Sequence, residues 1–183
     1  MARNLFPKVY SDFVARLRVP CGFLLVAAFA WFSHPTATSL AYGIPVSIAG
    51  LTLRAWAAGH LAKNQQLATG GPYAYTRNPL YLGTLLVAAG LAVAARSVGL
   101  ALLFTAVFIA VYLPVIVLEQ QHLRKLFPEY ADYAASVPAF IPFRRGRPAT
   151  ARFSWRLFWK NQEYQASLGF AIGVAWLFWK ASQ

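Results

Sequence analysis

Five long apolar runs, separated by short polar segments rich in arginine and lysine, constrain this chain more than any other feature. They extend from Val19 to about Ser33, Ser39 to Leu61, Pro79 to Ala95, Val98 to Leu118 and Tyr164 to Trp179. Inside hydrocarbon every backbone N–H and C=O must be satisfied by the protein itself, and a helix does this within one segment. The expected fold is therefore all-α: a polytopic membrane bundle of about five transmembrane helices with a helical cap on the cytoplasmic side. Residues 1–183 read as a single membrane-embedded domain without repeat or linker. Composition agrees, with 58% hydrophobic and 12% charged residues, where soluble domains carry about 25% charged.

Charge placement gives an orientation. Of the 17 basic residues, four lie in 1–18, two in 62–78 and eight in 119–160. Arg96 and Lys180 fall on the other side, and Arg54 lies within a run. By the positive-inside rule the N-terminus and the 62–78 and 119–160 segments are cytoplasmic. The net charge of +12 does not indicate nucleic acid, because the basic residues sit at the ends of apolar runs and no recognition motif is present. Arg144, Arg145, Arg147, Arg152, Arg156 and Lys160 read as an anchor for anionic membrane lipids. Cys21 is the single cysteine and His34, His60 and His122 are not at ligand spacing, so no metal is expected.

Several positions inside this frame stand out. Gly43, Gly50 and Gly59 in the second run let helices approach closely. Arg54 in the same run is costly unless it snorkels or meets a partner. The Arg96-Ser97 turn makes the third and fourth runs a helical hairpin, and Pro114 is expected to kink the fourth. Glu119 ends that run with no acidic neighbour, so Arg54, Arg77 or a cationic ligand is a candidate partner. Residues 119–137 read as an amphipathic helix broken at Pro128, with Leu123, Leu126, Phe127, Tyr130, Tyr133 and Val137 on one side. Val137 to Pro142 reads as an extended apolar strip.

Between the second and third runs lies a turn-rich segment, Gly70-Gly71-Pro72-Tyr73-Ala74-Tyr75-Thr76-Arg77-Asn78-Pro79-Leu80-Tyr81-Leu82-Gly83. Glycines and a proline force a turn. Asn78 then Pro79 reads as a capped helix start, and a helix N-terminus suits a carboxylate. Polar residues therefore converge on the cytoplasmic face: Arg54, His60, the 62–78 loop, Asn78, Tyr81 and Glu119. Such a site would join a water-soluble cofactor to a lipophilic substrate.

These residues carry a resemblance. Gly71-Pro72-Tyr73, Arg77-Asn78-Pro79-Leu80-Tyr81-Leu82-Gly83, Glu119, Phe127-Pro128-Glu129-Tyr130 and Val137-Pro138-Ala139-Phe140-Ile141-Pro142 resemble the isoprenylcysteine carboxyl methyltransferases, whose core is shared by the phospholipid N-methyltransferases. The likeness spans about residues 50–143, leaving 144–183 as a basic segment and an extra helix. It implies an integral membrane methyltransferase that uses S-adenosyl-L-methionine and acts on a lipophilic small molecule or lipid through a carboxylate or amine. It assigns cofactor contacts to Gln65, Gln66, Leu67, Ala68, Tyr73, Asn78, Pro79, Leu80, Tyr81 and Glu119. Glu119 would face the cofactor's cationic centres, and Arg54 would hold an anionic group of the substrate. If an amine acceptor must lose a proton, Glu119, His60 or Tyr81 would take it. The chain departs from the family in having Asn78 where histidine is frequent, and Gln120 where a second acidic residue follows the first.

Two other classes fit less of the pattern. Membrane sterol or enone reductases are distantly similar in the helical core and would bind a nicotinamide cofactor, but this chain has no separate polyphosphate-binding cluster. A non-catalytic lipid-binding protein on the methyltransferase fold would accord with Gln120.

Overall fold

The computed structural model describes residues 8–142 and 152–183. The first residues of the N-terminal basic flank and the basic residues Arg144, Arg145 and Arg147 lie outside the described residues. Those described form helices and connecting turns, with no strand. Helix α1 is Lys8–Phe32, α2 Ala37–Ala58 and α3 Pro79–Ala94. α4, Val98–Val107, continues through a π-helical turn at Phe108–Tyr112 into α5, Leu113–Leu126. Short helices α6 (Tyr130–Ser136) and α7 (Trp155–Lys160) precede α8, Tyr164–Ala181.

Every apolar run is thus helical, but they are not equal as spans. The continuous rod Val98–Leu126 is the one described helix long and apolar enough to cross a membrane by itself, while Pro20–Phe32 and Pro79–Ala94 are apolar but shorter. Length and composition alone therefore mark one span among the described residues.

The α2–α3 pair is the centre of the molecule. A Cβ added at Gly50 would lie 2.6 Å from the Gly83 carbonyl oxygen and 2.7 Å from the Val87 nitrogen. Two backbones can approach this closely only without a side chain between them. Ser47 hydroxyl donates to the Val87 carbonyl at 3.1 Å across the same seam. At the far end Thr36 and Ser39 form a reciprocal capping box at the start of α2, and Ser39 hydroxyl donates to Ala94 carbonyl at 2.8 Å. A core of Leu40, Ala94, Ala95, Leu100 and Leu177 joins α2, α3, α4 and α8. Lys180 at the end of α8 donates to the Ala30 and Trp31 carbonyls, each at 3.0 Å, satisfying the last turn of α1.

The expected kink at Pro114 takes the form of the π turn just before it. Proline lacks an N–H and its ring crowds the carbonyl four residues back, so the ladder widens there. Leu113 N–H accordingly reaches Phe108 carbonyl. The widened turn carries Tyr112, whose ring meets that of Tyr81 with centroids 6.2 Å apart.

Candidate active site

The chain leaves α2 at Gly59 and reaches α3 by a tight route. Gly71 has φ +58°, and a Cβ there would fall 2.7 Å from the His60 ring. Conformation and space thus both require glycine. A 3₁₀ turn, Gly71–Ala74, buries Pro72, Tyr73 and Ala74. His60 is buried, with Nδ1 2.9 Å from the Trp56 carbonyl oxygen. It does not line the cavity described below, and its contacts are those of a hydrogen-bonded residue at a helix end.

Asn78 precedes α3, but its side chain does not cap the helix, contrary to the expectation. Its Nδ2 instead donates to the Ala139 carbonyl at 2.9 Å. Thr76 hydroxyl donates to the same oxygen at 3.0 Å, and Arg77 N–H donates to Pro138 carbonyl at 2.9 Å. The Val137–Pro142 strip cannot satisfy its own carbonyls as a helix would. Residues 76–78 satisfy two of them, and a partner 61 residues away outcompetes the local cap.

This docking closes a cavity of about 150 Å³ between the 61–68 segment, the start of α3, α5 and α6. All the residues expected to contact the cofactor line it except Gln65, which points into solvent. Glu119 Oε2 accepts from the Tyr81 hydroxyl at 3.0 Å. Tyr133 hydroxyl donates to the Tyr73 carbonyl at 2.8 Å. The exposed loop at residues 63–66 borders the cavity through Lys63, Asn64 and Gln66.

The structure adds wall residues that the pattern did not single out as ligands: Tyr130, Tyr133, Leu123 and Gln120. Their signal lay in the amphipathic helix, since a tyrosine on the apolar side carries a hydroxyl into the interior. Burial pushes the Tyr73 phenol well above its ordinary pKa, and nearby Glu119 adds to this. Burial likewise raises Tyr133. Burial also raises Tyr130, which the adjacent Arg77 guanidinium partly offsets. All three remain neutral hydroxyls at physiological pH. Arg77 Nε and the Tyr130 hydroxyl are shielded from solvent, and the two side chains lie against each other.

Arg54 is placed apart from this cavity. It forms a two-pronged ion pair with Glu163, Nε to Oε1 at 2.6 Å and Nη2 to Oε2 at 3.0 Å. Its Nη1 donates to the Thr84 hydroxyl and, at 3.4 Å, to the Leu80 carbonyl. Arg54 is therefore not the partner of Glu119. Glu163 had a readable signal, being a lone acid at the edge of an apolar run as Glu119 is. Among the described residues no three His, Cys, Asp or Glu side chains gather as a metal site.

The sequence matches one family. Residues 18–130 match the family model described as phospholipid methyltransferase, and the chain belongs to that family of membrane methyltransferases. The match begins early enough to include most of α1, which the motifs alone had left outside. The chain is similar to the cobalt-zinc-cadmium resistance protein CzcN of Cupriavidus metallidurans, 35% identical over 114 residues, 61% of this chain and 51% of that one. It is also similar to the nickel-cobalt-cadmium resistance protein NccN of Alcaligenes xylosoxydans xylosoxydans, 34% identical over 114 residues, 61% of this chain and 52% of that one. The chain thus spans about half the length of these curated relatives. No solved structure is significantly similar to it.

Proposed function

We propose that this protein is an S-adenosyl-L-methionine-dependent methyltransferase, held in a membrane by five helices. It acts at the cytoplasmic face on a lipophilic small molecule or lipid, through a carboxylate or amine. One observation carries the reading. The cavity wall gathers nine of the ten residues expected at the cofactor, and with them the cation of Arg77 and the carboxylate of Glu119. A ligand with both an anionic and a cationic end suits such a wall.

S-adenosyl-L-methionine, when bound, supplies an electrophilic methyl group on a sulfonium. The residues that would hold it are Gln66, Leu67, Ala68, Tyr73, Asn78, Pro79, Leu80, Tyr81 and Glu119. Arg77 suits its carboxylate, while Glu119 and the tyrosine faces suit its cationic centres. The contribution of the chain is alignment in a dry site, and alignment alone can supply about 7–11 kcal/mol. A carboxylate acceptor needs no base. For an amine acceptor Glu119, hydrogen-bonded to Tyr81, is the group in the cavity wall suited to take a proton.

The membrane setting rests on the Val98–Leu126 helix and on the outer faces of α1, α4 and α8. These expose large apolar side chains such as Phe23, Trp31, Leu102, Leu168 and Ile172. The distribution of basic residues supports a cytoplasmic N-terminus and cavity. The direct test is calorimetric titration of S-adenosyl-L-methionine into the protein in lipid nanodiscs. Micromolar binding is expected, and absence of binding at millimolar cofactor would refute the reading.

A further inference from the structure

We infer that Glu163 is a positioning residue of the candidate site, fixing the first turn of α3 through Arg54. The inference rests on reading the cavity as the cofactor site, and it assigns a role to a part of the chain beyond the family match at residues 18–130.

The geometry forms one connected path. Glu163 is buried, with 7% of its side chain exposed. Both of its oxygens engage Arg54. The guanidinium passes on to Thr84 and to the Leu80 carbonyl, and Thr84 hydroxyl donates to that same carbonyl at 3.0 Å. Leu80 and the adjoining Tyr81 line the cavity, and Tyr81 donates to Glu119. Arg54 thus connects Glu163 at the start of α8 to the Leu80 carbonyl, and the main chain carries the path one residue on to Tyr81, which holds the carboxylate in the cavity wall.

The chain is built to deliver that carboxylate. Asn161 Nδ2 donates to the carbonyls of Ala58 and Leu61, each at 2.9 Å. Ser154 N–H donates to Gly59 carbonyl at 2.9 Å. These bonds satisfy the end of α2 and clamp the 154–161 segment on it. Gln162 then takes φ +56°, a left-handed conformation that a non-glycine residue adopts at a cost, and the next residue is Glu163. On the receiving side, a Cβ at Gly83 would lie 2.5 Å from Arg54 Cγ, so Gly83 leaves the room through which Arg54 reaches α3.

A brace that only holds helices together would add stability without affecting the cavity. A positioning role predicts a local effect at α3. The experiment uses the full chain in nanodiscs and compares wild type with Glu163→Gln and Glu163→Asp. Hydrogen exchange is read at the amides of residues 82–84, which close the first turn of α3, and at residues 86–93 as an internal reference. Glu163→Gln is expected to speed exchange at 82–84 by about tenfold or more, with 86–93 within about twofold. It should weaken S-adenosyl-L-methionine affinity about tenfold, and Glu163→Asp should recover part of both. Exchange that rises equally along α3, or does not rise at all, would overturn the inference. If Glu163→Gln does not fold, the paired Arg54→Gln/Glu163→Gln variant, which leaves no unpaired charge, is read in the same way. Absence of cofactor binding by the wild type refutes the proposed function, while the exchange readout still decides the role of Glu163.

Discussion

The two ends of the α2–α3 pair are held by different means. Along the seam from Gly43 to Gly50 the backbones touch, and glycine does the work by its absence of side chain. At the start of α3 the helix is held by polar side chains: Asn78 and Thr76 on Ala139, and Arg54 between Glu163, Thr84 and the Leu80 carbonyl. The seam is unforgiving of volume. The polar end depends on bonds that each need a particular partner. A helix fixed along its seam and tethered at its mouth offers a constant frame to the cavity beside it.

The largest expected effect comes from the seam. Gly50→Val would force the backbones apart, since the nearest atoms belong to Gly83 and Val87 backbone. It should cost about 3 kcal/mol or more, seen as loss of folded protein in size-exclusion after detergent extraction. Smaller and more local is Asn78→Ala at the polar end. It removes the bond to Ala139 and should cost about 1–3 kcal/mol, read as a lower thermal midpoint. If Asn78→Ala proved as damaging as Gly50→Val, the contrast between the two ends would fail.

Alkaline pH probes the tyrosines of the cavity. The folded-state pKa values of Tyr73 and Tyr133 are raised by burial above the ordinary value of about 10. The stability they contribute is fully present below about pH 10 and declines as pH rises above it toward the folded values. Thermal midpoints should therefore fall steeply above about pH 10, and Tyr73→Phe should flatten that fall. Smallest of all, Tyr133→Phe deletes the bond to the Tyr73 carbonyl and should cost about 1 kcal/mol.

Sequence and structure agree where the cause is local. Apolar runs became helices because their own backbone bonds suffice. Gly43 and Gly50 were legible as contact points because small residues have few other reasons to recur in an apolar helix. The turn at Gly71 was legible for the same reason. Nine of the ten residues that the motif grouped line one cavity. Asn78 was misread because N-capping is a local rule, whereas the carbonyl of Ala139 is offered only once the chain has folded back. Arg54 was read as either snorkelling or meeting a partner; its partner Glu163 lies 109 residues away, and nothing in the spacing distinguishes it from Glu119. The five runs are also unequal in length and apolarity. Helix formation follows from pattern, whereas spanning requires length, and α3 with 16 residues falls short of the about 20 that a bilayer asks of an upright helix.

The central claim is that the cavity beside α3 holds S-adenosyl-L-methionine. Calorimetric titration of the cofactor into wild type, Glu119→Ala and Tyr81→Ala in lipid nanodiscs tests it most directly. The account predicts micromolar binding by the wild type and a loss of about tenfold or more in each variant, in keeping with removal of a charge-assisted contact. Wild-type affinity retained in both variants would place the cofactor elsewhere, and no binding by any of the three would contradict the methyltransferase reading itself.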